Sequence, residues 1–127
     1  MVNDRNARAA GARRHGPALQ KAYDLVVWLV PTLEKFPRGQ RFLLGDRIES
    51  VALDVMDGLI EATYTREVGV PLRRVNLLLE KLRFMIRMAK DLHYLDLRRY
   101  EFAARAVDDI GRLVGGWIKG SHHGAPA

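Results

Sequence analysis

Cations are concentrated on one predicted helix of this 127-residue chain. Residues 69–93 carry six lysine and arginine side chains against two acids, a net charge of +4, whereas residues 41–68 carry three bases against six acids, a net charge of −3. Guanidinium groups offer forked donors that match phosphate oxygens. Because solubilising charge alone would not segregate in this way, we interpret the basic helix as the surface that contacts a polyanion.

The helix places several polar residues on one face, within a strip roughly 100° wide, which we call the basic strip. Its members are Arg73, Asn76, Glu80, Arg83, Arg87 and Lys90. The predicted nucleic-acid or partner-binding set consists of the cations of this strip, together with Arg74 of the same helix and Arg13 and Arg14 near the amino terminus. An alternative stays open on sequence alone: the strip is a solvated face with local ion pairs, such as Glu80 with Arg83 or Arg87 with Asp91.

The same helix carries two apolar faces. The predicted core stripe consists of Leu78, Leu82, Met85, Ala89 and Leu92. A second apolar row on the flank consists of Leu77, Phe84 and Met88. A single-chain bundle does not need both rows, so we expect the second row to contact a neighbouring subunit. Burial of this row inside one bundle is the alternative.

Apolar residues recur at helical spacing in four segments, which predicts an all-α chain. The predicted helices cover about 17–36, 41–67, 72–92 and, after an N-cap at Asp96, a segment ending near 119. Short connections predict an antiparallel, up-down-up-down four-helix bundle over residues 17–119. Residues 1–16 are predicted to be a disordered basic arm and residues 120–127 a disordered tail. In the first helix the predicted core face holds Leu19, Ala22, Tyr23, Val26, Val30 and Leu33. In the second it holds Leu44, Ile48, Val51, Val55, Leu59 and Ala62. In the fourth it holds Tyr100, Ala103, Ala104, Val107, Ile110, Val114 and Trp117.

The composition excludes several classes of protein. Without cysteine there is no disulfide, thiolate zinc site or thiol nucleophile. A net charge of +6 and a pI near 10.1 favour nucleic acid, an acidic protein or an anionic membrane surface as partner. No stretch reaches the roughly 20 apolar residues of a membrane span, so we expect a soluble protein. The lack of cysteine is compatible with a reducing cytoplasm, where we place the protein. A membrane-surface protein that uses the basic arm and helix is a further possibility, but no basic amphipathic helix has a free apolar face, so we expect no membrane contact. Glu-x-x-His pairs, phosphate loops and nucleophile elbows are missing, which predicts no catalysis, no cofactor and no metal site.

Aromatic and charged residues elsewhere receive structural roles. Four aromatic side chains fall on or near apolar faces and are assigned to packing: Trp28, Phe84, Tyr100 and Trp117. Tyr94, beside the lone His93, is the aromatic residue that we select for contact with a base. Two predicted ion pairs support the last helix, and they are Glu101 with Arg105 and Asp108 with Arg112. These features favour phosphate-driven, shape-tolerant binding without sequence readout.

Three segments carry a family resemblance: FPRGQRFLLGDRIE (36–49), LLLEKLRFMIRMAKDL (77–92) and DDIGRLVGGWIK (108–119). Together they resemble the four-helix-bundle family that includes the accessory variability protein (Avd) of diversity-generating retroelements and the proteins encoded in intervening sequences of bacterial 23S ribosomal RNA genes. The likeness covers roughly residues 19–119. The closing Gly-Arg-Leu-Val-Gly-Gly-Trp-Ile-Lys, joined to Leu-Arg-Phe-Met-Ile-Arg, resembles the Avd branch more than the general family.

The resemblance implies a basic, ring-like homopentamer that binds the retroelement reverse transcriptase and its template RNA and supports mutagenic retrohoming, without catalysis by this chain. Its Leu-Arg-Phe-x-x-Arg motif falls on Arg83 and Arg87 of the basic strip. The alternative is an intervening-sequence bundle of structural or unknown role. A neighbouring reverse transcriptase gene would favour the first interpretation, and a position inside a ribosomal RNA gene would favour the second. Residues 1–16 lie outside the resemblance.

Overall fold

The computed structural model describes residues 16–124, with side chains as far as Ser121, and this part of the chain is helical without any strand. The predicted arm residues Arg13 and Arg14 lie outside the described residues. The four long helices are α1 (Gly16–Leu33), α2 (Asp46–Tyr64), α3 (Gly69–Asp91) and α4 (Leu97–Gly124). A helical turn, Arg38–Gln40, and a π-helical segment, Arg41–Gly45, join α1 to α2. Each helix packs on the next one in sequence and α1 also packs on α4, so the four form a bundle.

One apolar core runs through the bundle, and the predicted core faces of α2 and α4 are confirmed. On α2 the buried residues include Ile48, Val51, Val55, Leu59 and Ala62. On α4 they include Ala103, Val107, Ile110, Val114 and Trp117. Burying each of the larger side chains contributes about 1.5–3 kcal/mol relative to exposure, so these two stripes are a major source of stability.

The predicted core face of α3 is wrong by a rotation of the helix. The buried side chains are Pro71, Leu72, Val75, Leu79, Leu82, Ile86 and Ala89. Of the predicted stripe, Leu82 and Ala89 are buried, Leu78 and Met85 are partly buried, and Leu92 is exposed. The error arises because Arg83 and Lys90 lie beside α4, where partner groups hold them, and do not point directly away from the core. The face of α3 opposite the basic strip is therefore not the face that packs into the core.

The predicted core face of α1 is also wrong by a rotation of the helix, although Ala22 and Leu33 of the predicted set are buried. Leu25 and Leu29 are buried, whereas Tyr23 and Val30 are exposed. The helix also ends at Leu33, three residues earlier than predicted. Phe36 precedes Pro37, and a residue before proline disfavours helical backbone angles, so the chain turns there.

The carboxyl end of α4 differs from the predicted tail. The helix continues to Gly124, five residues past Lys119, and the Ser121 hydroxyl donates to the Ile118 carbonyl at 2.7 Å. Glycine inside a helix costs about 1 kcal/mol relative to alanine without stopping the helix. No described glycine has a positive φ, so Gly115, Gly116 and Gly120 remain helical.

The turn between α3 and α4 is defined by backbone geometry. His93 adopts a left-handed conformation with φ of 66°, and its amide donates to the Lys90 carbonyl at 2.9 Å. The next amide, of Tyr94, donates to the Ala89 carbonyl at 2.8 Å, which completes a Schellman cap. Asp96 then begins α4 as predicted, since its Oδ1 accepts the Arg99 amide at 2.8 Å. This hydrogen bond is the main reason that the pKa of Asp96 is lowered from its ordinary value.

Helices α2 and α3 approach each other closely at Gly58, which is buried in α2. A Cβ atom at this position would lie 2.5 Å from Cγ2 of Val75 on α3. Only a hydrogen at this position lets the two backbones come so near. None of the helices in the described part of the chain is long and apolar enough to cross a membrane.

Candidate nucleic-acid and partner interface

Arg83, the central cation of the basic strip, bridges α3 and α4. Its Nε and Nη2 donate to Oδ1 of Asp108 at 3.2 and 2.8 Å, and its Nη1 donates to Oε2 of Glu80 at 2.5 Å. The Glu80–Arg83 pair that the solvated-face alternative named is therefore present, and 37% of the arginine side chain is exposed. A forked arginine held by two carboxylates is better ordered than a single surface pair. We assign Arg83 a bracing role between the two helices.

Two further cations of the predicted set also have intramolecular partners. Arg74 lies on the α2 side of the helix, where its Nη2 donates to Oε2 of Glu61 at 2.5 Å. The Lys90 ammonium lies 3.4 Å from Oδ1 of Asp91 and 4.6 Å from the centre of the Tyr100 ring. Arg74 and Lys90 thus lie on opposite flanks of α3, and the predicted residues do not form one continuous ridge.

Arg73 and Arg87 are the most available cations of the set. The Nε of Arg87 lies 3.9 Å from Oδ2 of Asp91, and both side chains are more than half exposed. The solvated-face alternative named this pair as well, but at this distance it is loose and screened by solvent. Arg73 is exposed and makes no ion pair with any residue that the structure describes. These two guanidinium groups can reach an external anion without breaking a tight contact.

The apolar row Leu77, Phe84 and Met88 faces outward, so the alternative that it lies inside a single-chain bundle is wrong. The exposed fractions of the three residues are 57%, 58% and 49%. Val70, seven residues before Leu77, is also exposed and extends the row. We call these four residues the α3 outer row. Phe84, which the aromatic pattern assigned to packing, does not pack inside this chain.

Helix α2 also carries an exposed apolar row, and its net charge is opposite to that of α3. Leu53, Ile60 and Tyr64 are exposed at helical spacing, and we call them the α2 outer row. Residues 46–64 carry five acids and one base, a net charge of −4, whereas residues 69–91 of α3 carry six bases and two acids, a net charge of +4. The two outer faces are therefore both apolar along the centre and opposite in charge at the flanks.

The predicted ion pairs of α4 are wrong. Asp108 binds Arg83 of α3, and Arg112 pairs with Asp109, one position along. Glu101 and Arg105 form no ion pair with each other in the described region. Spacing four apart permits such pairs, but a partner on the adjacent helix competes for the same carboxylate.

Sequence reasoning missed a second basic region at the connection of α1 to α2. Residues 35–47, which we call the α1–α2 corner, carry four bases and one acid, a net charge of +3. Phe42 and Leu43 are exposed within it. Tyr94, the aromatic residue selected for base contact, instead packs inward with its ring centre 5.7 Å from that of Phe36. The sequence signal for this basic region is the local net charge of residues 35–47. Arg41 and Arg47 also belong to the predicted second helix, whose negative net charge hides this signal.

A groove between α1 and α4 is lined by Lys21, Asp24, Phe102, Arg105 and Asp109 among others. Its carboxylates already have partners, because Asp24 accepts from Gln20 and Asp109 pairs with both Lys21 and Arg112. Among the described residues, no three His, Asp or Glu side chains are grouped as metal ligands.

The sequence was compared with known proteins. Residues 18–121 match the family described as bAvd-like. No curated protein matches the sequence. The matched span includes nearly all of the four-helix bundle and agrees with the resemblance to the Avd branch. Members of this family are accessory proteins of a non-catalytic kind. The chain belongs to the bAvd-like family.

Proposed function

We propose that this protein is a non-catalytic accessory subunit of a diversity-generating retroelement, which binds the reverse transcriptase and its template RNA and supports mutagenic retrohoming. The observation that carries this proposal is the bAvd-like match over residues 18–121. The net charge of +6 supports a polyanionic partner.

The basic face of α3 is the surface that we propose for the RNA backbone. Arg73 and Arg87 are exposed and lack a tight carboxylate partner in the described chain, so they are the residues expected to contact phosphates. Arg83 and Arg74 contribute positive potential while they hold α3 to its neighbours. Binding of this kind is driven by counterion release and falls as salt rises.

A second copy of the chain is the partner that we propose for the outer rows. The α2 outer row with its acids and the α3 outer row with its bases are complementary, so α2 of one copy can pack on α3 of the next. Such a head-to-tail contact repeats from copy to copy and closes into a ring when the rotation allows. The homopentamer implied by the resemblance is one such ring.

The antiparallel arrangement of the helices is part of the proposed architecture. Contacts between α3 and α4 run in opposite directions along the two helices: Arg83 meets Asp108 and Lys90 meets Tyr100. Contacts between α1 and α4 do the same, since Lys21 meets Asp109 and Trp28 meets Phe102. These pairings support an up-down-up-down order.

Binding of a labelled single-stranded RNA across a salt series tests the proposed function, alongside capture of the retroelement reverse transcriptase. The doubly substituted Arg73→Ala, Arg87→Ala variant should bind RNA more weakly, and the slope of log affinity against log salt should fall by roughly 0.7 for each lost phosphate contact. The matched control combines Arg105→Ala with Arg112→Ala on α4, because it removes two exposed arginines from another face.

Two results would refute this assignment. A wild-type protein that binds neither RNA nor the reverse transcriptase would overturn the proposed function. Equal losses for the double variant and for a double variant that combines Arg112→Ala with Arg105→Ala would show that only total charge matters, and would remove α3 from the proposed site.

A further inference from the structure

The α1–α2 corner holds cations that have no partner in the described part of the chain. Lys35, Arg38 and Arg47 are exposed and make no ion pair with any described residue, whereas Arg41 pairs with Glu34 at 3.6 Å. The only acid in residues 35–47 is Asp46. Unpaired cations grouped in a short segment produce a local positive potential without an internal anion to neutralise it.

An exposed aromatic ring lies in the same segment. Phe42 is 63% exposed, and the Arg41 guanidinium carbon lies 5.3 Å from the centre of its ring. The neighbouring Leu43 is equally exposed, at 63%. Isolated exposed apolar residues are common, but an exposed aromatic ring beside an arginine is an arrangement on which unpaired bases stack in single-stranded nucleic-acid sites.

The backbone of the corner explains why Phe42 points outward. Residues 41–45 form a π-helical turn in which the Asp46 amide donates to the Arg41 carbonyl, five residues earlier. Gly45 is buried in this turn, and a Cβ there would lie 3.8 Å from the Phe36 ring and 3.9 Å from the Leu33 Cβ. The segment therefore packs on the end of α1 through Gly45 and presents Phe42 and Leu43 to solvent. Single π-helical turns of this kind are frequent at functional sites.

We propose that the α1–α2 corner is a binding site for unpaired RNA, in which Phe42 stacks on a base and Lys35, Arg38 and Arg47 contact the adjacent phosphates. This inference rests on the proposed function in that it takes RNA as the ligand. It adds a second contact region, at the end of the bundle, to the phosphate-binding face of α3. Duplex RNA is a poor ligand for this site because its base faces are covered by stacking.

Phe42 and Leu43 allow a matched test in the full-length protein, with a short oligouridylate and an RNA hairpin of equal charge as probes. Phe42→Ala should weaken oligouridylate binding by about fivefold or more, whereas Leu43→Ala should leave it unchanged. Phe42→Trp should retain binding because it restores a stacking surface. Arg38→Gln should reduce the salt slope by roughly 0.7. Hairpin binding should change little with either Phe42 variant.

Several outcomes would overturn the inference while leaving the proposed function intact. Equal behaviour of Phe42→Ala and Leu43→Ala would exclude stacking, provided that wild-type protein binds the oligouridylate and circular dichroism shows both variants folded. An equal loss of hairpin binding would exclude a preference for unpaired bases. Loss of reverse transcriptase capture without any change in RNA affinity would identify the corner as a protein-docking surface instead.

Discussion

Replacing Gly58 by alanine should separate α2 from α3 and destabilise the fold. The added Cβ would lie 2.5 Å from Val75 Cγ2, closer than real side-chain contacts, and 3.9 Å from the Pro71 carbonyl oxygen. Val75 is fully buried and β-branched, so it has few alternative rotamers into which it can move. The strain must therefore be relieved by a small displacement of one helix from the other.

The magnitude follows from two opposing effects. Overpacking a core contact costs about 1–3 kcal/mol. Alanine in a helix is favoured over glycine by about 1 kcal/mol, so the net destabilisation of Gly58→Ala is about 0–2 kcal/mol. Gly111→Ala is the matched control, because a Cβ at that helical position meets nothing within 4 Å. It should stabilise the protein by about 1 kcal/mol, which places the two variants about 1–3 kcal/mol apart.

Urea unfolding followed by circular dichroism measures both variants, at one fixed protein concentration because assembly would shift the apparent stability. The combination of Gly58→Ala with Val75→Ala gives a second readout. Truncating Val75 removes the clashing methyl, so the double variant should be more stable than the sum of the two single changes predicts. If Gly58→Ala stabilises as much as Gly111→Ala, or if the double variant is simply additive, the close approach of α2 and α3 is incorrectly placed.

Two further predictions concern assembly and pH. Phe84→Asp should lower the mass measured by light scattering, because it puts a charge in the α3 outer row. The control Tyr23→Asp, on a similarly exposed residue of α1, should leave the mass unchanged. A wild-type monomer, or an unchanged mass for Phe84→Asp, would count against the subunit contact. Asp96→Ala should lower the melting temperature at neutral pH because the ionised carboxylate accepts the Arg99 amide. Its lowered pKa means that this stabilisation is present above the ordinary value of 3.8 and is lost as the pH falls through the folded-state pKa. A difference between wild type and Asp96→Ala that does not shrink in acid would contradict the role of the charge.

Local sequence signals predicted the helices, the Asp96 cap and the core faces of α2 and α4, because periodicity and capping depend on neighbouring residues. The face of α3 could not be predicted in the same way. That helix has two apolar rows, and the orientation was decided by where Arg83 finds Asp108 on another helix. The outward position of Phe42 depends on a π-helical turn, for which the sequence gives no periodic signal.

The left-handed backbone at His93 has a consequence for the α1–α2 connection, which lies at the same end of the bundle. The chain turns back at this residue, and the ring of the next residue, Tyr94, packs against the ring of Phe36 in the α1–α2 corner. Phe36 and Tyr94 are more than fifty residues apart in the sequence, and their ring contact joins the two connections of the bundle. A change of backbone conformation at position 93 would displace the Tyr94 ring, and with it the support of Phe36, the ring against which Gly45 of the α1–α2 corner packs.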